Sequence, residues 1–112
     1  TGSLPTDFID MTGKKQVAVQ IVNNSSGVPA NWGFSPPDII VSVGTTVTWT
    51  NVSNFIHTVV TKPGTNPPQT FASGILATGT PPGTFTFTFA QAGNYPYECS
   101  IHPAMIGWVE VK

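Results

Sequence analysis

The sequence predicts an all-β domain, a sandwich or barrel of short strands, and two observations lead to this fold class. Glycine and proline contribute 11 residues each to a chain of 112. Between them lie short runs rich in valine, threonine, isoleucine and phenylalanine, at the spacing typical of such folds. No run has the apolar periodicity of a long amphipathic helix. A chain of 112 residues is long enough for one domain of this kind and too short for two.

Alternation of apolar and polar residues marks the individual strands. Val17, Val19 and Ile21 fall on one face of a first strand. The clearest strand covers residues 84–89, where three phenylalanines that face the core alternate with three threonines. Further strands are predicted over 39–43, 46–50 and 107–112. Two more are predicted, one that begins at or near His57 and one that carries Tyr95, Tyr97 and Cys99 on a single face. Residues 25–37 and 62–83 are predicted to be loops because proline, glycine and small polar residues dominate them.

The charge content excludes two classes of partner. Only 8% of the residues are charged, the formal net charge is −1, and four basic side chains are present. They are too few for a nucleic-acid footprint or a polybasic membrane patch. No apolar stretch reaches the length of a membrane span. We therefore expect a soluble chain whose partners are proteins, recognised by contact with weak electrostatic steering.

The side chains with the most distinctive chemistry lie near the C-terminus. Cys99, the single cysteine, is followed at intervals of three residues by His102 and Met105. A thiolate, an imidazole and a thioether suit a copper ion that cycles between Cu(I) and Cu(II), in a site with two histidines, one cysteine and a long axial methionine. The second histidine of the chain is His57, so the soft ligands suffice for one site.

Other interpretations of these residues compete with copper. A lone cysteine is usually a small buried apolar residue, which forms no internal disulfide and leaves the redox compartment open. Met105 could equally be a plain core residue. Zinc accepts histidine and cysteine, but catalytic zinc sites seldom use a thioether and structural ones need more thiolates or histidines. Hydrolysis by a serine, histidine and aspartate, or a second copper centre held by histidines, would need further histidines.

In its residues and their order the chain resembles the cupredoxins, the type 1 (blue) copper proteins of the plastocyanin, amicyanin and halocyanin group. The resemblance extends over residues 17–112. The matching segments, in chain order, are Phe34-Ser35-Pro36, 39–49, His57-Thr58-Val59, Phe71, Ser73-Gly74-Ile75-Leu76, 87–89, Gly93-Asn94-Tyr95 and Tyr97-Glu98-Cys99.

This resemblance implies a Greek-key β-sandwich or barrel of about seven to eight strands. Residues 17–112 would form the single cupredoxin domain, and residues 1–16 an N-terminal extension or a first edge segment. One copper ion would be the cofactor. Its equatorial ligands would be His57, Cys99 and His102, and Met105 would be the axial ligand.

Two further residues are expected to support these ligands. Thr58 would tie the two ligand loops together by hydrogen bonds near the sulfur, and Pro103 would stiffen the second loop because it has no backbone N–H. The spacing Cys-x-x-His-x-x-Met matches the short amicyanin-type loop. Ile56 departs from the family, because many relatives have proline there.

The implied function is the shuttling of one electron between redox partners outside the cytoplasm, without an enzymatic reaction. Partner proteins would dock on an apolar patch around His102, formed by Pro103, Ala104 and either Phe34 or Ile56. Residues 1–12 could be the remnant of a linker to a membrane anchor, or a loosely docked N-terminus. Two alternatives stay open: a copper site with an open axial position that reacts with a small molecule such as nitric oxide, and a copper storage or delivery module.

Overall fold

The computed structural model of the chain describes residues 8–22, 33–102 and 105–112. Within these ranges the chain forms nine strands and no helix. The strands are β1 (Ile9–Asp10), β2 (Gln16–Val22), β3 (Gly33–Ser35), β4 (Asp38–Val41), β5 (Thr46–Asn51), β6 (Val60–Thr61), β7 (Thr84–Thr88), β8 (Gly93–Glu98) and β9 (Ile106–Val111). None of the described residues belongs to a helix that could cross a membrane.

Two sheets pack face to face, which confirms the predicted β-sandwich. One sheet has the strand order β1-β4-β9-β8-β6, and the other has the order β3-β2-β5-β7. Strand β2 alternates between exposed and buried positions along its length, as the apolar pattern predicts. Strand β7 keeps its threonines exposed and its phenylalanines half-buried against the core. The alternation fixes which face of each strand is buried, because consecutive side chains point to opposite sides of a sheet.

Aromatic rings fill the space between the sheets. Trp49 of β5 is fully buried, and its ring lies 5.4 Å from that of Tyr97 on β8, in an edge-on arrangement. The ring of Phe71 lies 5.7 Å from Trp49 and 4.9 Å from Phe87. Gly107 of β9 lies against Tyr97, and a Cβ atom at this glycine would overlap the tyrosine ring. Tyr97 therefore anchors β8 in the core two residues before Cys99.

One short strand lies inside a segment predicted to be a loop. Strand β3 pairs antiparallel with β2, with Phe34 opposite Ile21. Phe34 is only 3% exposed because its ring packs edge-on against Tyr97 at 4.7 Å. Of the two residues offered as alternatives for the docking patch, Phe34 is therefore buried, whereas Ile56 is 45% exposed. The rest of the predicted loop before β3, residues 25–32, lies outside the described residues.

The segment that begins at His57 is less regular than a strand. His57 forms an isolated bridge with Leu76, and regular pairing begins at Val60, opposite Glu98 of β8. Apart from that bridge and one between Val60 and Ala72, residues 62–83 carry no strand, in agreement with the predicted loop. Because β6 runs antiparallel to β8, His57 and the residues that follow Glu98 lie at the same end of the sandwich.

Candidate metal centre

Three side chains that can ligate a metal meet at this end of the sandwich. The Sγ atom of Cys99 lies 3.6 Å from Nδ1 of His57 and 3.5 Å from Nδ1 of His102. The two Nδ1 atoms are 3.2 Å apart. The centroid of a triangle with sides of about 3.4 Å lies about 2.0 Å from each corner, close to the length of a bond between a nitrogen and a first-row metal ion. The three atoms are thus arranged for a single ion between them.

Backbone hydrogen bonds shape the loop between β8 and β9. The N–H of His102 donates to the carbonyl of Cys99 at 3.1 Å, and the N–H of Met105 donates to the carbonyl of His102 at 2.8 Å. The N–H of Cys99 in turn donates to the carbonyl of Met105 at 3.0 Å, which closes the loop. These bonds fix the spacing of Cys99 and His102 before any ion binds. Met105 is fully buried at the end of the loop.

Thr58 joins the two ligand-bearing segments. Its backbone N–H donates to Sγ of Cys99 at 3.4 Å, and its hydroxyl oxygen lies 3.9 Å from the same sulfur. The N–H of Ser100 donates to that hydroxyl oxygen at 2.8 Å, and the two hydroxyl groups also lie 2.8 Å apart. A donor aimed at the sulfur stabilises the thiolate form that a metal needs.

The role of Ser100 is not visible from the spacing of the ligands. Its hydroxyl shares a hydrogen bond with the Thr58 hydroxyl across the two loops. A signal for it exists in the sequence, since a small hydroxyl residue follows Cys99 directly and a second one follows His57 directly. Pro103, by contrast, lies outside the described residues, so its predicted effect on the loop stays a prediction.

Comparison with known proteins identifies the family. A sequence profile of copper binding proteins, the plastocyanin/azurin family, matches residues 19–112. The chain belongs to this family of cupredoxins. Amicyanin of Paracoccus versutus is 31% identical over 114 residues, which cover 100% of this chain and 84% of the amicyanin.

Solved structures agree with this assignment. A purple cupredoxin from Nitrosopumilus maritimus has a TM-score of 0.71 and 34% identity over 86% of this chain and 99% of its own. A copper-containing nitrite reductase from Thermus scotoductus SA-01 has a TM-score of 0.68 and 29% identity. That likeness covers 87% of this cupredoxin and 22% of the reductase chain, so this chain matches about a fifth of that enzyme.

Copper is the cofactor of this cupredoxin, and the donor set fits it. One thiolate and two imidazoles are the soft and intermediate ligands that favour copper, and the triangle of Sγ and Nδ1 atoms has room for one ion. Among the described residues no other group of three or more histidine, cysteine or acidic side chains could hold a metal ion.

Burial keeps His57 in the form that binds a metal. The side chain is fully buried, and the loss of solvation lowers its pKa from 6.5 to about 4, with a smaller contribution from the nearby His102. A neutral imidazole is the ligating form, so His57 is ready to bind across the neutral pH range. His102 is half-buried, which makes it the more accessible of the two imidazoles.

Exposed apolar side chains surround this end of the cupredoxin. The apolar rim, as we call it, comprises Phe55, Ile56, Ile75 and Ile101, which are 40 to 66% exposed. Phe55 and Ile56 precede His57, Ile101 precedes His102, and Ile75 precedes Leu76, the bridge partner of His57. The rim therefore lies on the segments that carry the candidate ligands or pair with them. The predicted patch residues Pro103 and Ala104 lie outside the described residues.

Proposed function

We propose that this cupredoxin is a one-electron carrier with a single type 1 copper, held by His57, Cys99 and His102 as equatorial ligands and Met105 as the axial ligand. The observation that carries the proposal is the triangle of Sγ and two Nδ1 atoms, whose sides are 3.2 to 3.6 Å. Copper bound there would supply the Cu(I)/Cu(II) couple.

The residues around the ligands contribute rigidity. The hydrogen-bonded loop holds Cys99, His102 and Met105 through three backbone bonds, and Thr58 links the loop to the His57 segment. A site whose ligands barely move between the two oxidation states has little to rearrange when an electron arrives. The N–H of Thr58 also withdraws electron density from the sulfur and so tunes the reduction potential.

Replacing the thiolate tests the ligand assignment directly. Cys99→Ser should abolish the intense visible absorption band, because the sulfur supplies the charge-transfer transition. The variant should remain folded, because the strands do not depend on the Cys99 side chain. Circular dichroism measures whether it does. Absorption and EPR spectra of the copper-loaded protein are the measurements. A visible band that survives in the variant would show that the ligand assignment is wrong.

We also propose that redox partner proteins dock on the apolar rim. The rim lies on segments without a single charged residue, since residues 39–61, 63–97 and 99–109 contain no aspartate, glutamate, lysine or arginine. Docking should therefore depend little on salt. The rate of electron transfer to a partner should change less than about twofold between low and high ionic strength. A steep fall with salt would point to a charged docking surface elsewhere.

The alternative function is a copper site with an open axial position that reacts with a small molecule. The likeness to the nitrite reductase chain, a copper enzyme, supports this alternative. A second copper centre built from histidines is not available, because the chain has two histidines and both lie in the triangle. Added small ligands such as azide or nitric oxide separate the two functions. A closed electron-transfer site should keep its spectrum, whereas an open site should change it. A storage or delivery module should instead release its copper readily to a chelator.

Residues 17–112 form the cupredoxin domain in this proposal, and the protein works outside the cytoplasm. The family match over residues 19–112 supports the boundary, and β1 within residues 1–16 adds an edge strand to the sheet. The likeness to amicyanin supports the location. A chain that begins at residue 17 should still bind copper with an unchanged spectrum, and fractionation of producing cells should find the protein outside the cytoplasm.

A further inference from the structure

A buried asparagine lies beneath the loop that precedes His57. Asn51 is the last residue of β5 and is 1% exposed. It occupies an inward-facing position of the strand, in line with Val47 and Trp49, where an apolar residue is expected. A polar side chain buried at such a position is costly unless all its hydrogen-bonding groups are satisfied.

The amide of Asn51 meets this condition completely. Its Nδ2 group donates to the carbonyl of Phe55 and to the carbonyl of Leu76, each at 2.9 Å. Its Oδ1 atom accepts from the N–H of Ser53 at 3.1 Å and from the Ser53 hydroxyl at 2.6 Å. The reversed orientation would face Oδ1 against two carbonyl oxygens, so the hydrogen-bond network allows a single orientation. No other side chain of this size offers two donors and two acceptor positions.

One of these bonds reaches the first copper ligand through a shared atom. The carbonyl oxygen of Leu76 also accepts from the N–H of His57 at 3.4 Å, and the N–H of Leu76 donates to the carbonyl of His57 at 2.8 Å. The bridge between His57 and Leu76 lies outside the regular strands, and the next backbone hydrogen bond between the two segments joins the Ser73 N–H to the Val59 carbonyl at 2.9 Å. The Asn51 amide adds a hydrogen bond to the Leu76 carbonyl and so strengthens this short pairing between the His57 and Leu76 segments.

We propose that Asn51 is a positioning residue for His57 and for the three rim residues on the same two segments, Phe55, Ile56 and Ile75. Its amide joins the turn at Phe55 to the segment at Leu76, so that the ligand and the rim side chains on both sides of it move as one unit. The proposal rests on the proposed function for its effect on copper. The positioning itself is a property of the metal-free protein and is tested there as well.

Two substitutions of Asn51 separate positioning from packing. Asn51→Asp keeps the shape but replaces both donors with an oxygen that faces two carbonyls, and Asn51→Leu keeps the volume without any polar atom. Where the aspartate variant does not fold, Asn51→Ser takes its place. Val47→Ala, on the inward face of the same strand, is the control for general loss of stability. Thr50→Ala, at the outward-facing position next to Asn51, is the control that leaves every hydrogen bond of the Asn51 side chain intact.

Amide hydrogen exchange in the metal-free protein is the first measurement. Both Asn51 variants should speed the exchange of the His57 and Leu76 amides by about tenfold, the factor expected for the loss of one buried hydrogen bond. The amides of Tyr95 and Val109, paired in the middle of the β8–β9 ladder, should not share this increase. Val47→Ala and Thr50→Ala should not produce this local pattern.

The copper-loaded protein gives the second measurement. The Asn51 variants should change the shape of the visible absorption bands and the reduction potential, whereas both control variants should keep the parental spectrum and potential. If the Asn51 variants lose stability like Val47→Ala but keep parental amide exchange at His57, spectrum and potential, the proposal is overturned. If the parent itself lacks a type 1 spectrum, the proposed function fails, and the exchange measurement alone decides the role of Asn51.

Discussion

The middle of the sandwich and its metal end are held together in different ways. In the middle, β2 pairs with β5 and β8 with β9 over six residues each, and buried aromatic rings fill the space between the sheets. At the metal end, an isolated bridge, the backbone hydrogen bonds of one short loop and a small number of buried side-chain hydrogen bonds hold the candidate ligands. Apolar burial needs the right pattern and volume, whereas the metal end needs particular atoms at particular places. Substitutions in the two regions should therefore have separable effects.

The largest effect on stability is expected in the middle. Trp49→Ala removes a fully buried indole that contacts four other aromatic rings and should cost about 3–5 kcal/mol of unfolding free energy. Trp108→Ala is the matched control, because Trp108 is half-buried and its Nε1 donates to Asn94 in an exposed bond. Urea unfolding of both variants is the measurement. Equal losses in the two variants would contradict the view that the aromatic core dominates the stability.

The middle of the sandwich and the metal end also differ in how much of their structure the sequence predicts. Strands β2 and β7 are predictable because strict alternation reports burial directly. Strand β3 was not predicted because glycine and proline surround it, and its pairing with β2 depends on a distant segment. The meeting of Cys99 with the two histidines is predictable because cysteine and histidine are scarce in this chain.

The support of the ligands is harder to predict than the ligands themselves. Asn51 looks like an ordinary turn residue, and nothing local shows that its amide reaches Leu76, 25 residues further along the chain. The available signal is its place on the inward face of an alternating strand. Hydrogen bonds between distant loops depend on tertiary geometry, which a pattern of apolar residues does not encode.

A medium effect on stability is expected at the metal end when the metal-free protein is acidified. Burial lowers the pKa of His57 from 6.5 to about 4 in the folded chain. Between these values the unfolded chain binds a proton that the folded chain does not, so the free energy of unfolding falls as the pH falls from about 6.5 to 4. The expected loss is about 3 kcal/mol, since each pH unit in this range costs up to about 1.4 kcal/mol, and it is measured by urea unfolding at stepped pH. His57→Gln should remove this part of the pH dependence, and an unchanged slope in the variant would assign it to other groups.

The smallest effect on stability is expected at Met105. This residue belongs both to the apolar core and to the metal end, so it tests most sharply whether the two regions can be separated. Its side chain is part of the buried apolar core, and its backbone closes the ligand loop. Met105→Leu conserves volume and should cost less than about 1.5 kcal/mol. The reduction potential should nevertheless rise, because loss of a weak sulfur donor disfavours Cu(II). Voltammetry of the copper-loaded variant measures the potential, and urea unfolding of the metal-free variant measures the cost. A potential equal to that of the parent would show that the thioether acts only as a core side chain, and would favour the open axial position over the closed electron-transfer site.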